Sequence, residues 1–462
     1  MTALFSPRLR HWLRLVIIAL GLAGVLWLVL TRALPGLNTA PEKLTRLEAA
    51  HLKLTAQTQL DLQPDFTRSI SEPLKRMMPH RTDGLAQPLW PWVASWMHDP
   101  QDVAATMKGT GIFRIGLALG FLLMLGFICA RSFALPAALW VLLMAGLHGF
   151  LPVLTYFTGE TLHHMGLLVM WLACVYALQR NSLWVYGLIG ISAALTWLAD
   201  DRVVMPVLVV FLVVSSLRAV WGWASAHFAR MPGTSLWVWR NHWLGLLMLS
   251  CTFFFIVGPR LVESHEIFGQ AFFSYTDQVR WLDSADEARQ WIETHPDAAS
   301  LLREPALERP SATNALSGRS NAELLARLGL GAEIVAEELG SALAQFVAML
   351  GVLIALTWIT WTRTPKASHA GERLHPETAT TALFVTVAIG ACALIACWDA
   401  TVLSVSHLHG LVMLLALSLV WAATSLLRRA KRRRVSRWVI LSYYVAMWAM
   451  VGWSLLTGRA TP

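Results

Sequence analysis

The sequence predicts an all-α polytopic membrane protein that crosses the bilayer about eleven times and carries two long extracytoplasmic loops. Apolar residues make up 56% of the 462 residues and charged residues only 14%, whereas a soluble domain carries about 25% charged residues. Several apolar runs reach about 20 residues, which lets a helix cross a hydrocarbon core of about 30 Å. Composition and run length therefore agree on a multi-pass helical protein.

The individual spans follow from the apolar runs, each of which is flanked by polar or charged residues. The first run follows the basic residues Arg8, Arg10 and Arg14. It is longer than the apolar core of a cleaved signal peptide, so we expect an uncleaved signal-anchor. The predicted spans are 11–33, 111–130, 134–156, 161–179, 183–199, 203–220, 239–258, 341–361, 380–398, 402–427 and 438–457.

Basic residues indicate the orientation, because cytoplasmic loops of membrane proteins carry an excess of Lys and Arg. We therefore predict a cytoplasmic N-terminus and an external C-terminus. The cluster at 428–434 resembles a nucleic-acid-binding patch when read alone, but beside a span it favours a topological role, and we expect no nucleic-acid partner. The basic stretches lie around Arg131, Arg180, 218–240, 363–373 and 428–437.

Two long connections lie outside on this topology. The first loop, 34–110, belongs to an N-terminal transmembrane region that covers 1–258, and the second loop occupies 259–340. The remaining spans form a C-terminal region, 341–462. No internal repeat is visible, so the inverted-repeat architecture of secondary transporters finds no support in the sequence.

Both loops contain stretches with helical character. In the first loop they are an amphipathic segment, 42–60, and a Trp-rich segment, 90–96, and such segments tend to lie in the membrane interface. In the second loop they are the acidic segments 284–293 and 320–339. The two loops and the short outer turns are predicted to form one extracytoplasmic face.

Ionisable residues gather on this face, whereas the span interiors are nearly free of charge. Charge near a bilayer is costly, so such residues are functional candidates by default. The candidates are Arg81, Asp83, Glu160, His163, His164, Asp200, Asp201, Arg202, Arg260, His265, Asp399, His407 and His409.

Asp83 comes first among these candidates, because it precedes an aromatic, proline-containing patch at 88–92. A carboxylate in this position could deprotonate an acceptor hydroxyl or amine, or help to hold a divalent cation. The structural alternative is a turn residue, since Asp-Gly is a strong turn signal. The local sequence leaves both interpretations open.

Glu160 and His164 are four residues apart and share a helix face. The spacing suits a metal ion or an acid–base pair, although no third ligand has a suitable local spacing. Alternatively, Glu160 interacts favourably with the positive end of a helix dipole. His407 and His409 are alternate residues, so at most one of them is predicted to point into a cavity.

The segment Asp200-Asp201-Arg202 forms a predicted tight turn between two spans. One interpretation is a self-neutralising turn. The other is that Arg202 binds a phosphate as a bidentate donor. The chain lacks the common soluble catalytic motifs for nucleotides, zinc proteolysis and serine hydrolysis, so an enzyme of this kind needs an activated donor that already resides in the membrane.

The order of motifs along residues 10–300 resembles that of GT-C superfamily glycosyltransferases. The similar group is family-39-like and includes protein O-mannosyltransferases and lipid A aminoarabinose transferases. That family often has an Asp-Glu pair in the first loop, where this chain has Asp83 followed by Gly84. The motifs that carry the resemblance are Asp83 before 88–92, then 156–160, 184–190, 198–202, 258–260, 268–273 and the W-x-D-S-x-x-E-A pattern of 281–288.

The resemblance implies a GT-C-like bundle in a bacterial inner membrane, with the active site on the periplasmic face. It implies transfer of a sugar from a polyprenyl-phosphate donor to a lipid, glycan or protein acceptor, with Asp83 as catalytic base. Apolar grooves would hold the isoprenoid tail among membrane lipids. The implied substrate- and phosphate-binding residues are Arg81, Tyr156, Asp201, Arg202 and His407, and the implied metal or acceptor ligands are Glu160 and His164.

Two other functions remain open at this stage. A transporter or flippase for a lipid-linked or anionic substrate predicts ionisable groups within the spans and helices broken at the midplane. A non-catalytic envelope-assembly partner would use the acidic helices of the second loop to bind other proteins. A lipid-open cavity beneath the first loop, with Asp83 at its mouth, favours the enzyme.

Overall fold

The computed structural model contains helices and, in the part of the chain that it describes, no β-strands. The predicted all-α class is therefore confirmed for that part. The described residues are 7–37, 44–62, 79, 81–84, 87–180, 182–229, 234–295, 300, 305, 309–317, 319–362, 376–403, 408–432 and 437–457.

The described residues of the N-terminal half form nine α-helices, which we number in chain order. Between α5 and α6 the chain forms a π-helix, Met144–Phe150, and a short 3-10 helix, Leu151–Val153. The α-helices are α1 Pro7–Ala33, α2 Arg46–Leu62, α3 Leu89–Ser95, α4 Val103–Ser132, α5 Leu135–Leu143, α6 Glu160–Arg180, α7 Leu183–Ala199, α8 Val204–Ala229 and α9 Thr234–Phe268.

In the C-terminal half, the described residues form three short helices and then four long ones. The short helices lie in the predicted second loop. They are α10 Tyr275–Val279, α11 Ala285–Thr294 and α12 Ala312–Ser317, and the long helices are α13 Asn321–Thr362, α14 Pro376–Asp399, α15 Leu408–Arg432 and α16 Arg437–Thr457.

Nine helices in the described part are long and apolar enough to cross a membrane. Two further apolar helices are shorter, Leu183–Ala199 and Ile440–Leu456. They coincide with the predicted spans 183–199 and 438–457, so each of the eleven predicted runs corresponds to a helix. The multi-pass class is confirmed, and the exact number of eleven spans stays a prediction.

Several helix ends differ from the predicted ends, because a helix continues where its backbone hydrogen bonds continue, whether or not its residues are apolar. α4 begins at Val103, eight residues before the predicted span. α9 contains Pro259 and runs to Phe268, so the predicted regional boundary at 258/259 falls inside one helix. α13 begins at Asn321 and kinks at Gly340, whose φ of 40° is a left-handed value that favours glycine.

The described residues of the first predicted loop lie over the helix ends. Glu48 near the start of α2 accepts hydrogen bonds from the backbone N–H and the hydroxyl of Thr45, while the Thr45 hydroxyl accepts from the Glu48 N–H. This is a capping box, which satisfies donors at the start of a helix. Asp102 caps α4 by accepting from Ala105 N at 2.8 Å. The loop is therefore held by local polar contacts, and it brings α2 and α3 together over the bundle.

The centre of the bundle is the span that comprises α5, the π-helix and the 3-10 helix. In its most apolar stretch of 18 residues, 89% of the residues are buried, a larger share than in any other candidate span of the described residues, which marks it as the central element. Its own helical pattern changes from α to π to 3-10 within this buried region. π-helical turns inside α-helices are rare and often occur at functional sites.

The second predicted loop is bound to the N-terminal part of α13 and to the C-terminal end of α14. Arg327 donates to the carbonyl oxygens of Leu282 and Arg280 at 2.7 and 2.9 Å, and its guanidinium lies 4.0 Å from the centre of the Trp398 ring. Trp398 Nε1 also donates to the Arg280 carbonyl at 2.9 Å. These contacts fix the 275–295 region beside the first loop, at one end of the bundle.

Candidate functional site

A partly open cavity of about 130 Å³ lies where the two predicted loops meet the N-terminal end of α6 and the C-terminal end of α7. Its walls combine three acidic side chains and one arginine with amide, hydroxyl and imidazole groups. The lining residues are Leu47, His51, Gln87, Thr158, Gly159, Glu160, Ala199, Asp200, Asp201, Arg202, Thr276 and Leu403. The cavity therefore brings together four predicted candidates: Glu160, Asp200, Asp201 and Arg202.

The turn after α7 builds one wall of this cavity. Asp200 ends the helix, and its carboxylate accepts hydrogen bonds from the backbone N–H and from Nε of Arg202, each at 3.0 Å. A salt bridge joins the same two side chains, and Glu160 Oε1 lies 3.8 Å from Arg202 Nη2. The ion pair that the self-neutralising interpretation requires is thus present, and Glu160 extends it to a triad.

The triad has a clear electrostatic consequence for Arg202. Burial alone would lower its pKa, but the Asp200 and Glu160 carboxylates outweigh burial and raise the pKa above its ordinary value. Arg202 is therefore permanently charged, with its strongest donors directed at Asp200. An incoming phosphate would have to compete with that carboxylate for the donors of Arg202. The sequence alone could not reveal this competition.

Asp201 lies on the same turn and faces a different partner. Its Oδ2 accepts a hydrogen bond from Gln87 Nε2 at 2.8 Å. Burial, followed by repulsion from Asp277 and Asp200, raises the pKa of this carboxyl to about 7. A carboxyl in this range exchanges a proton near neutral pH, which is the property expected of a general acid or base.

The raised pKa of Asp201 predicts a pH-dependent stability. The folded protein holds this proton more tightly than the unfolded chain, so the stabilisation is full below the ordinary value of 3.8 and is lost as pH rises through about 7. We expect Asp201→Asn to flatten the decline of the thermal midpoint of unfolding in detergent between about pH 4 and pH 8. Asp286→Asn, at a side chain that is 85% exposed, is the matched control and should leave the profile unchanged; an equal effect of both variants would contradict the assignment.

Asp83 lies beside the cavity and is half-buried, but it is not one of the described residues that line it. Gly84 N donates to Thr82 Oγ1 at 2.9 Å, and Gly84 has a φ of 81°, so the turn interpretation is confirmed for the backbone. The Asp83 carboxylate also acts electrostatically on His51, a lining residue. Asp83 is therefore both a turn residue and a neighbour of the cavity.

Gly84 explains why this chain lacks an acid after Asp83. Its carbonyl accepts a hydrogen bond from Tyr275 N at 2.8 Å. A side chain at position 84 would come within 2.8 Å of the rings of Phe273 and Tyr275, and its positive φ would be strained. The first loop is thus docked on the second loop at a point that only glycine fits.

The sequence analysis missed several polar residues near the cavity, among them the three ionisable ones described here. His51 lines it, and burial lowers the pKa of its imidazole, which favours the neutral ring. Glu48 is buried and its Oε1 accepts from Phe157 N at 2.7 Å. The pattern Thr45-x-x-Glu48 is a readable capping-box signal, whereas the distant contact to Phe157 has no local signal.

Arg114 is the third missed residue, and it lies fully buried within α4. Its guanidinium is 5.2 Å from the centre of the Trp90 ring, and it interacts electrostatically with Glu48 and Glu160. Trp90 therefore supports a buried cation as well as packing against Phe157, with ring centres 5.6 Å apart. The predicted scarcity of charge in the span interiors is wrong at this residue.

The predicted metal ligands do not form a metal site. Glu160 faces Arg202, whereas the His164 ring packs near Phe150, with ring centres 6.3 Å apart. Across the described ranges, no group of three or more His, Cys, Asp or Glu side chains is arranged to hold a metal ion. The side chains in the described part of the chain therefore do not fit a divalent cation.

The other predicted site residues lie elsewhere or outside the description. Arg81 is half-buried next to Asp83, and Tyr156 is 48% exposed; neither is among the described lining residues. His407 lies outside the described residues. His265 is exposed, and Arg260 is buried, where it donates to Phe273 O at 3.1 Å.

Asp399 and Arg280 fix the side of the cavity that carries Thr276. Arg280 Nη2 donates to Asp399 Oδ2 at 3.2 Å, and Arg280 Nη1 lies 3.1 Å from Asp277 Oδ1. Asp399 is completely buried. The sequence analysis placed Asp399 among the functional candidates of the extracytoplasmic face. In the structure Asp399 forms an ion pair that holds the second loop against α14.

The fold and the site together define a polytopic α-helical membrane protein with a charged cavity at one end of its bundle. Comparison with known proteins gave no match: no protein-family model, no curated protein and no solved structure is similar enough to be matched to this chain. The resemblance to the GT-C superfamily consequently stays a prediction that rests on the motif order alone.

Proposed function

We propose that the protein is a glycosyltransferase that moves a sugar from a polyprenyl-phosphate donor to an acceptor on the periplasmic side of a bacterial inner membrane. The observation that carries this proposal is the charged cavity at the meeting point of the two loops. It combines carboxyl groups with an arginine, and Asp83 acts electrostatically on His51 in its wall.

The reaction requires a base, an anion-binding group and a place for the acceptor. The acceptor oxygen attacks the anomeric carbon, and the bond between that carbon and the phosphate oxygen breaks. The phosphate leaves with the electron pair, and the proton of the acceptor passes to a carboxylate. Fixed positive charge near the leaving phosphate stabilises the charge that develops there.

We assign the role of base to Asp83, whose carboxylate lies within electrostatic range of His51 on the cavity wall. Asp201 lines the cavity and binds Gln87, so it is suited to orienting the acceptor or donor hydroxyl groups by hydrogen bonding. Arg202 supplies the positive charge, moderated by Asp200 and Glu160. The isoprenoid tail would lie against the apolar outer surface of the bundle.

A transporter is the second candidate, favoured by one observation. The central span changes from α to π to 3-10 helix at 144–153, and His148 lies in that region, 9% exposed. Broken helices with buried ionisable groups are typical of transport proteins. Against this, the charged cavity lies at the outer helix ends and not midway along the spans.

The test of the proposed function is a transfer assay with the purified full chain in lipid nanodiscs. A panel of synthetic polyprenyl-phosphate sugars serves as donors, and periplasmic lipid, glycan and protein fractions serve as acceptors. Release of free polyprenyl phosphate together with a labelled product is the expected result. Uptake of the same donors into proteoliposomes without any release of polyprenyl phosphate would instead favour the transporter.

A further inference from the structure

Three buried side chains in the wall of the charged cavity each have a polar atom without a hydrogen-bond partner among the described residues. These atoms are Nε2 of His51, Oε1 of Gln87 and Oγ1 of Thr158. Each of the three residues is at most 7% exposed. Buried polar atoms are nearly always satisfied in folded proteins, so three such atoms at one cavity indicate that a ligand or ordered water completes them.

The backbone of α2 fixes the tautomer of His51. Its Nδ1 lies 2.8 Å from the carbonyl oxygen of Leu47, and a carbonyl oxygen only accepts hydrogen bonds, so Nδ1 carries the proton. Burial lowers the pKa of the imidazole and thereby favours the neutral ring. A neutral ring with its proton on Nδ1 has a lone pair on Nε2. His51 Nε2 therefore accepts a hydrogen bond and does not donate one.

The amide of Gln87 supplies a second acceptor. Its Nε2 donates to Asp201 Oδ2 at 2.8 Å, so the oxygen Oε1 is the atom of the amide that still needs a partner. The hydroxyl of Thr158 can both donate and accept. The cavity wall therefore offers two acceptors and one hydroxyl group, and the ligand has to supply the donors.

These atoms favour a ligand with several hydroxyl groups and disfavour a phosphate. The oxygens of an ionised phosphate are acceptors, and they would repel the lone pairs of His51 Nε2 and Gln87 Oε1. A sugar hydroxyl donates one hydrogen bond and accepts others, as a threonine hydroxyl does. The cavity volume of about 130 Å³ is about ten times the space that one water molecule needs, which is the scale of a monosaccharide ring.

We propose that His51 is a specificity-determining residue of the cavity, whose Nε2 accepts a hydrogen bond from a hydroxyl group of the sugar on the donor lipid. The inference rests on the proposed function for the identity of the ligand as a polyprenyl-phosphate sugar. The donor is favoured over the acceptor as the source of this hydroxyl group. The reason is that Arg202, which would bind the donor phosphate, lies in the same cavity wall, and the sugar is bonded directly to that phosphate.

The first measurement follows the ring nitrogens of His51 by NMR, in the full chain held in lipid nanodiscs with its histidines labelled with nitrogen-15. The spectrum of His51→Asn identifies the His51 resonances by their loss. Without any donor, we expect Nε2 to show the chemical shift of an unprotonated nitrogen in a neutral ring. Undecaprenyl phosphate that carries a single hexose or pentose, tested as a panel without an acceptor, should move this resonance. Undecaprenyl phosphate without a sugar should not move it.

The proposal is overturned if Nε2 carries the proton, if no member of the panel moves its resonance, or if both kinds of lipid move it equally. The second measurement compares two substitutions of the same residue. The short amide of His51→Asn keeps a donor near Nδ1 and removes the Nε2 acceptor, whereas the longer His51→Gln keeps an acceptor near Nε2. We expect His51→Asn to weaken binding of the responding donor by about tenfold, equivalent to about 1.4 kcal/mol, and His51→Gln to recover most of the affinity.

Affinity for undecaprenyl phosphate without a sugar should be unchanged in both variants, and equal losses for the two lipids would contradict the proposal. His98→Asn is the matched control, because His98 is a half-buried histidine of the same predicted loop and is not one of the described lining residues. It should bind both lipids as the unsubstituted chain does. Neither measurement requires turnover. Sugar transfer with an unmoved His51 resonance would overturn this proposal alone, whereas donor binding through His51 without any transfer would overturn only the proposed function.

Discussion

Asp83→Asn is expected to reduce sugar transfer by about 100- to 10,000-fold, the range over which general acid–base catalysis contributes to enzymatic rates. The amide keeps the shape of the side chain but cannot accept the proton of the acceptor. The backbone of this segment is fixed independently, by the Gly84–Tyr275 hydrogen bond and the Thr82 hydroxyl, so the fold should be retained. Initial rates with the active donor and acceptor pair, measured in nanodiscs, give the comparison.

Asp99→Asn is the matched control for this experiment. Asp99 is an exposed acid of the same loop, and its carboxylate accepts from Gln101 N at 2.9 Å. The same chemical change there should leave the rate within about twofold of wild type, since surface substitutions away from special features have small effects. Full transfer by Asp83→Asn, with donor binding intact, would remove the assigned role of base from this residue.

The helical content was predictable because apolar runs of membrane length leave few alternatives to a helix. The positions of the helix ends were not predictable, because hydropathy marks the apolar part of a helix and not the residue that makes its last backbone hydrogen bond. α9 illustrates the difference: Pro259 lies inside it, although a proline ordinarily predicts a break. In α13 the predicted start of a span coincides with a kink at Gly340, and the helix itself begins earlier, at Asn321.

The site was predictable in so far as it depends on a single turn. Asp200, Asp201 and Arg202 are adjacent in sequence, and their placement next to Glu160 follows from the ends of two consecutive helices. The contributions of Gln87, His51 and Arg114 depend on how the first loop folds over the bundle, and contacts between distant segments have no local signature. The contact between Gln87 and Asp201 joins residues 114 positions apart.

The metal hypothesis shows where a spacing rule is insufficient. Glu160 and His164 do share a helix face, as their separation of four residues predicts. Within that one turn, however, the helix passes from the cavity into the bundle. Glu160 therefore contacts Arg202, whereas His164 packs against the buried imidazole of His163. A shared face is necessary for two ligands on one helix, but the third ligand must come from packing.

Arg202→Ala is expected to produce the largest loss of stability of any single substitution at the cavity, about 3–5 kcal/mol. The side chains of Arg202, Asp200 and Glu160 are each at most 9% exposed. Removing the arginine leaves two carboxylates buried close together without their counter-charge, which costs more than the pair itself contributes. The free energy of unfolding in mixed micelles is the quantity to measure.

Arg289→Ala supplies the comparison, because Arg289 pairs with Asp286 at 3.4 Å while both side chains are largely exposed. Such a surface pair contributes about 0–1 kcal/mol, so this substitution should barely alter the unfolding transition.

Adding Asp200→Asn to Arg202→Ala should restore part of the lost stability, since one of the uncompensated charges is then absent. A phosphate-binding Arg202 without a structural role would give the opposite pattern: little loss of stability and a large loss of binding of undecaprenyl phosphate. The two measurements together therefore decide whether the turn after α7 serves mainly to hold the cavity or mainly to bind the donor.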